Sequence, residues 1–206
     1  MLRRTETLKR RQALGGYGFY IFAAAIVIAI GWAITLYNRL VAAKQRVSEG
    51  WSGVDVQLRR RSNLIPNLVD TVKGYMEHER STLEKITELR QQSANAESKR
   101  DDAERAQAEG MLSGSLLHLF AVAENYPDLK ANQTFQDLQE NLAEIEEQIQ
   151  LARRYFNGAV RDNNILVETV PSNIVAKLFS FTTAAYFEVE DASERAVPKI
   201  EFGSKK

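Results

Sequence analysis

Three consecutive arginines, Arg59–Arg61, and two histidines, His78 and His118, are the residues of this sequence best suited by type to chemistry. Arginine forks match phosphate geometry, so the run is a candidate site for an anion, a lipid headgroup or an anionic partner. Successive residues on a helix point about 100° apart, however, and cannot form one patch without a break in the chain. At the end of a helix the same charges would complement the terminal carbonyls and make interhelical ion pairs. That reading comes first. The histidines suggest hydrolase or metal chemistry, but a zinc site takes about four ligands at recognisable spacing. In "HERST" Thr82 stands where an H-E-x-x-H motif has its second histidine. The sequence has no nucleophile elbow, and no glycine-rich phosphate loop follows a strand. We assign no catalytic residue, metal ligand or cofactor.

Composition narrows the classes further. Lysine plus arginine and aspartate plus glutamate number 27 each, so no basic excess points to nucleic acid. Cysteine is absent, which removes disulfides and thiol chemistry. Four prolines and 11 glycines in 206 residues suit long helices.

The elements that must position these residues begin with a membrane segment. Residues 15–37, "GGYGFYIFAAAIVIAIGWAITLY", carry no charge. That run matches the roughly 20 apolar residues a helix needs to span a bilayer. Tyr17, Tyr20, Trp32 and Tyr37 sit toward its ends, where interfacial aromatics belong. The run is too long for a signal-peptide core and lacks a cleavage pattern, so it reads as an uncleaved anchor. Arg3, Arg4, Lys9, Arg10 and Arg11 precede it; Arg39, Lys44 and Arg46 follow. The excess in the 1–14 tail favours a cytoplasmic N-terminus, with the soluble part outside the inner membrane.

Apolar stripes then recur at helical spacing. Leu36, Leu40, Val47, Trp51, Val54 and Leu58 form the first. Ser62-Asn63 reads as an interruption, with Asn63 capping a second helix and Pro66 in its first turn. Trp51 reads as core, and Gly74 as a place for close helix approach. The charge-dense stretch 97–109 reads as a solvated linker or exposed helix start. Met111 to Val122 give a shorter helix. Tyr126, Pro127 and Lys130 build a helix corner, which is also a candidate interaction surface. Asn132 caps the clearest helix, where Phe135, Leu138, Leu142, Ile145, Ile149, Ala152, Phe156 and Ala159 form a coiled-coil-like seam. Pro171 stops that run, and Ser172 caps a short helix. Residues 188–206 read as a polar, flexible tail. The fold class is therefore all-α: an N-terminal transmembrane helix at 15–37, then an elongated antiparallel bundle of about four helices over 38–187.

Several phrases in fixed order resemble the LemA family. They are "YNRLV" (37–41), "VSEGWSGVDVQLRRRSNLIPNLVDTVKGY" (47–75), "HERSTL" (78–83), "YPDLKANQTFQDLQENLAEIEEQIQLARRYFNGAV" (126–160), "YFE" (186–188) and "PKIEF" (198–202). The resemblance implies one N-terminal membrane helix and a helical bundle, with no settled molecular role. Val170 stands where family members often have phenylalanine, and the basic tail departs from the short N-terminus usual there. The function expected is a non-enzymatic, membrane-anchored bundle of the bacterial envelope. It would contact membrane lipid and act by associating with copies of itself or with an envelope protein partner, with no nucleic acid. The alternative is an anion- or ligand-sensing module built on Arg59–Arg61.

Overall fold

A computed structural model gives the structure over residues 2–99 and 101–187, with side chains described from Gly18 onward apart from Glu77. The side chains of the 1–14 tail and Tyr17, and all of the 188–206 tail, lie outside the described residues. Every regular element among the described residues is helical, so the all-α expectation holds. The elements are α1 (Leu2–Lys73), a 3₁₀ turn (Glu77–Glu79), α2 (Arg80–Lys99), α3 (Asp102–Ala123), α4 (Pro127–Lys130), α5 (Gln133–Glu168) and α6 (Ser172–Leu178).

The largest correction concerns α1. The expected break at Ser62-Asn63 does not exist; the helix runs through it and through Pro66 to Lys73. Arg59–Arg61 therefore end no helix, and Asn63 caps none. The reason is the buried stripe, which continues without a phase change through Val54, Leu58, Arg61, Ile65, Leu68 and Val72. Packing of that stripe outweighs the roughly 3 kcal/mol that an interior proline costs. Pro66 cannot bond the Ser62 carbonyl, and Arg90 Nε of α2 donates to that oxygen instead at 2.9 Å. The helix closes with the Tyr75 and Met76 amides on the Val72 carbonyl.

The chain forms two compact units. Among the described residues, one joins those up to Val47 with Ala159–Ala184, and the other joins those of Ser48–Gly158 with those from Ala185 to Phe187. In the second unit α1, α2, α3 and α5 form the four-helix bundle. Along α1 the partners on α5 run backwards: Trp51 meets Phe156, Arg61 meets Glu146, and Tyr75 meets Asn132. Those helices are antiparallel, as short connections require. Ile65, Leu68, Val72, Ile86, Leu89, Leu112, Leu119 and Phe135 lie in one core. The close approach expected at Gly74 is at Gly50, where a Cβ would meet Phe156 Cα at 3.0 Å; Gly74 has open space around it. The 97–109 stretch is not a linker: α2 reaches Lys99, and Asp101 caps α3 by accepting from the Glu104 amide at 2.9 Å. Asn132 caps α5 as expected, accepting from the Phe135 amide at 3.0 Å.

In the first unit Leu36 and Leu40 of α1 pack with Val175 and Ala176 of α6, flanked by Leu166, Val167 and Phe181. Only 6% of the most apolar part of α1 is buried within the protein, so this stretch is not a core helix, and it is long and apolar enough to cross a membrane. Ser172 is the first residue of α6, and its hydroxyl donates backwards to the Thr169 carbonyl at 3.0 Å in place of the expected cap. α6 ends in a Schellman turn. Ser180 is left-handed (φ 58°), and the Phe181 amide bonds the Ala176 carbonyl at 2.9 Å. Asn163 and Asn164 of α5 hold the returning strand-like chain at the Thr182 and Ala184 carbonyls.

If α1 is continuous, Asn63→Ala raises stability by about half a kcal/mol through helix propensity. A cap at this position would instead cost about 1 kcal/mol on the same change. Urea unfolding of the two proteins separates these outcomes.

Candidate functional site, a buried arginine–carboxylate network

The bundle core changes character at one level. Arg61 occupies a stripe position and is 1% exposed. A bare guanidinium there would be costly, since burying an unpaired ion takes several kcal/mol. It is answered from two helices. Nη2 pairs with Glu109 of α3 and also reaches the Glu109 carbonyl at 3.2 Å; Nη1 pairs with Glu146 of α5 and the Ser113 hydroxyl. The second Glu109 oxygen accepts from Ser93 of α2. Four helices thus join in one network around this cation, α2 through Glu109.

One turn away lies a second group. Arg105 of α3, also buried, pairs with Asp55 at 2.7 Å and Glu97 at 3.5 Å. Arg59 bridges the same two carboxylates from the solvent side, 3.0 Å from Asp55. Its side chain is 61% exposed, so this bridge adds little. The Arg105 guanidinium also stands 5.9 Å from the Trp51 ring centre, and Trp51 packs on Phe156 and Phe187. Trp51 is half-buried, as a core aromatic with one wet edge.

The three consecutive arginines therefore have three different surroundings. Arg61 is internal, Arg59 is a surface bridge, and Arg60 is exposed, donating to the Gln57 side chain at 3.2 Å. A cleft of about 290 Å³ opens beside them, lined by Arg59, Ser62, Asn63, Glu97, Arg105 and Glu109 among others. Its two cations face two carboxylates, so an anion entering it meets no net positive charge.

The other predicted residues lie elsewhere. Tyr126 is half-buried against the core, Pro127 opens α4, and Lys130 pairs with Glu124 across the corner. Asn132 ties that corner to the Tyr75 hydroxyl at 3.1 Å. Tyr20, Trp32 and Tyr37 are exposed along the span. His78 and His118 are exposed on separate elements, and no group of metal-binding side chains forms among the described residues.

Sequence reasoning missed Arg90, Ser93, Arg105 and Glu109. Three of them carried a signal. Arg105, Glu109, Leu112, Leu116, Leu119 and Ala123 keep one three-four spacing along α3, and Ser93 sits on the α2 stripe between Leu89 and Ala96. A charged residue in phase with an apolar stripe is a buried residue in need of a partner.

Removing the Arg61 side chain strands two carboxylates, so Arg61→Ala costs about 3–5 kcal/mol of unfolding free energy, whereas Arg60→Ala stays within about 0.5. Chemical denaturation at low and high salt checks both, and the Arg61 penalty persists in salt because the pair is buried.

Arg90 bonds a carbonyl freed by proline, so Arg90→Ala costs about 1.5–3 kcal/mol. In a Pro66→Ala background Ser62 regains a backbone partner and the Arg90 penalty shrinks. A double-mutant cycle measures that coupling.

Comparison with known proteins gives this fold its relatives. The LemA family model matches residues 50–202. Magnetosome protein MamQ 2 of Paramagnetospirillum magneticum is 23% identical over 200 residues, covering 86% of this chain and 74% of its own. Protein LemA of Metamycoplasma hominis is 24% identical over 177 residues, covering 84% and 80%. Magnetosome protein MamQ of Magnetospirillum gryphiswaldense is 21% identical over 203 residues, covering 86% and 75%. The matched region contains the arginine run, its carboxylate partners and the Asn125–Asn132 corner, and the chain belongs to the LemA family.

Proposed function

We propose that this protein is a non-enzymatic, single-pass scaffold of the bacterial inner membrane that works by association, with copies of itself or with another envelope protein. The observation that carries this reading is where the charge goes. The buried charged groups, Arg61, Arg105 and Glu109, are consumed in fixing the helices to one another, while His78 and His118 are exposed on separate elements. A chemical site needs the same groups free to meet a substrate. The anchor supports the reading from the other side, as do relatives whose names state a compartment or a family and no reaction. The N-terminus faces the cytoplasm in this reading, on the lysines and arginines of the first residues.

Leu151 and Tyr155 offer a surface for association. They lie one helical turn apart on α5, 43% and 52% exposed, clear of the internal network. The sensing alternative, an anion at Arg59–Arg61, has less support because Asp55, Glu97, Glu109 and Glu146 already neutralise that neighbourhood.

The sequence lacks cysteine, so single-cysteine variants report without background. Leu151→Cys and Tyr155→Cys in intact membranes are expected to give crosslinks by a short bis-maleimide, and the detergent-solubilised protein a mass above one protomer plus micelle. A strictly monomeric mass with no crosslink from either position, to itself or to any membrane protein, contradicts the proposal. Stabilisation by phosphate or polyanions that disappears in Arg60→Gln would favour the sensing alternative.

A further inference from the structure

The short helix α6 is amphipathic in the wrong sense for water. Its inner face is buried: Val175 and Ala176 pack on Leu36 and Leu40 of α1. Its outer face is also apolar. Ile174 and Leu178, one turn apart, are 66% and 75% exposed, and the flanking Val170 and Phe179 are 77% and 54% exposed. Four large apolar side chains at one tip form the kind of patch that marks an interaction surface.

The position of the tip identifies what covers it. Tyr37 closes the uncharged run of α1, and its ring centre lies 4.8 Å from that of Phe179 and 5.7 Å from that of Phe181. Leu36 and Leu40, the residues under α6, belong to the turns on either side of Tyr37. The tip is therefore beside the last turn of the span and continuous with its lipid-facing surface. The charged residues nearby fit the same level. Arg39, Lys44 and Arg46 are exposed on the next turns of α1, where phosphates of lipid headgroups would meet them. Lys177 is exposed between Ile174 and Leu178, and its long stem allows the ammonium to reach that layer while its neighbours go deeper.

We propose that the apolar tip formed by Val170, Ile174, Leu178 and Phe179 inserts into the lipid bilayer where α1 leaves it, giving the protein a second membrane contact beside its anchor. The geometry is that of an interfacial amphipathic segment, with binding set by buried apolar area and assisted by adjacent cations. The Schellman turn at Ser180 supports it by turning Phe181 inward onto Ala176 while Phe179 stays outside.

This inference rests on the membrane-span reading of α1, and the test separates the two. Full-length protein is reconstituted in phosphatidylcholine–phosphatidylglycerol vesicles with a polarity-sensitive fluorophore on Ile174→Cys, Leu178→Cys, Leu117→Cys or Ile26→Cys. Leu117, 68% exposed on α3, is the aqueous reference, and Ile26 reports the span. The labels at 174 and 178 are expected to emit at shorter wavelength than the label at 117. They should be quenched strongly by nitroxide on the shallow acyl chain and weakly by iodide in water. Quenching by iodide equal to that at 117 overturns the insertion. Protection from both quenchers overturns it too, because a protein surface then covers the tip. A label at 26 quenched from water overturns the span itself, a failure distinct from loss of the tip signal alone.

Discussion

Arg61 is a cation removed almost entirely from water, and the bundle is organised around making that tolerable. Taking a guanidinium into a protein interior is unfavourable by several kcal/mol unless its donors are met. Glu109, Glu146 and Ser113 meet them from two helices, and Ser93 fixes Glu109 from a third. Among the described residues Arg61 has no hydrogen-bond partner at Nε, so even here the match is incomplete. Replacing such a network by apolar residues is often neutral or stabilising. Its advantage lies in register. Apolar stripes slide past one another at modest cost, whereas a fork on α1 and carboxylates on α3 and α5 fit in one alignment.

The parts of the molecule legible in the sequence are those set by short-range pattern. Stripes at Phe135–Phe156 and the cap at Asn132 are short-range patterns, and they gave helices, ends and core faces directly. The uncharged run at 15–37 gave a long apolar helix, little of it buried. The junction at 62–66 misled because serine, asparagine and proline are local signals, and local signals lose to a packed stripe. Arg61 itself held the clue, standing in phase between Leu58 and Ile65. Read as part of the stripe it demands a buried acid, and Glu109 stands in phase on α3. Arg90 was not legible, because its role follows from a carbonyl that Pro66 leaves unpaired on another helix. Glu146 was hidden among the acids of α5, since only tertiary packing distinguishes it from Glu144 or Glu147.

Function follows from the division of labour between charged and apolar side chains. Arg61, Arg105 and Glu109 are turned inward and hold the bundle. Large apolar side chains that a soluble domain would hide are turned outward on the span and on the α6 tip. A protein built this way has a fixed interior and exposed apolar side chains on α1 and α6, which supports the proposed scaffold over a catalyst or an anion receptor.

α1 stays one closed helix through Arg59–Arg61 because Arg61 is buried and clamped to α3 and α5. Amide hydrogen exchange of the full-length protein in lipid nanodiscs tests it most directly. The amides from Arg61 to Val72, Pro66 having none, are expected to exchange only with global unfolding of the bundle and to be unaffected by added phosphate. Fast exchange confined to Ser62–Leu68, or protection there that appears only when phosphate is bound, would contradict the account and make the run an open, ligand-dependent junction.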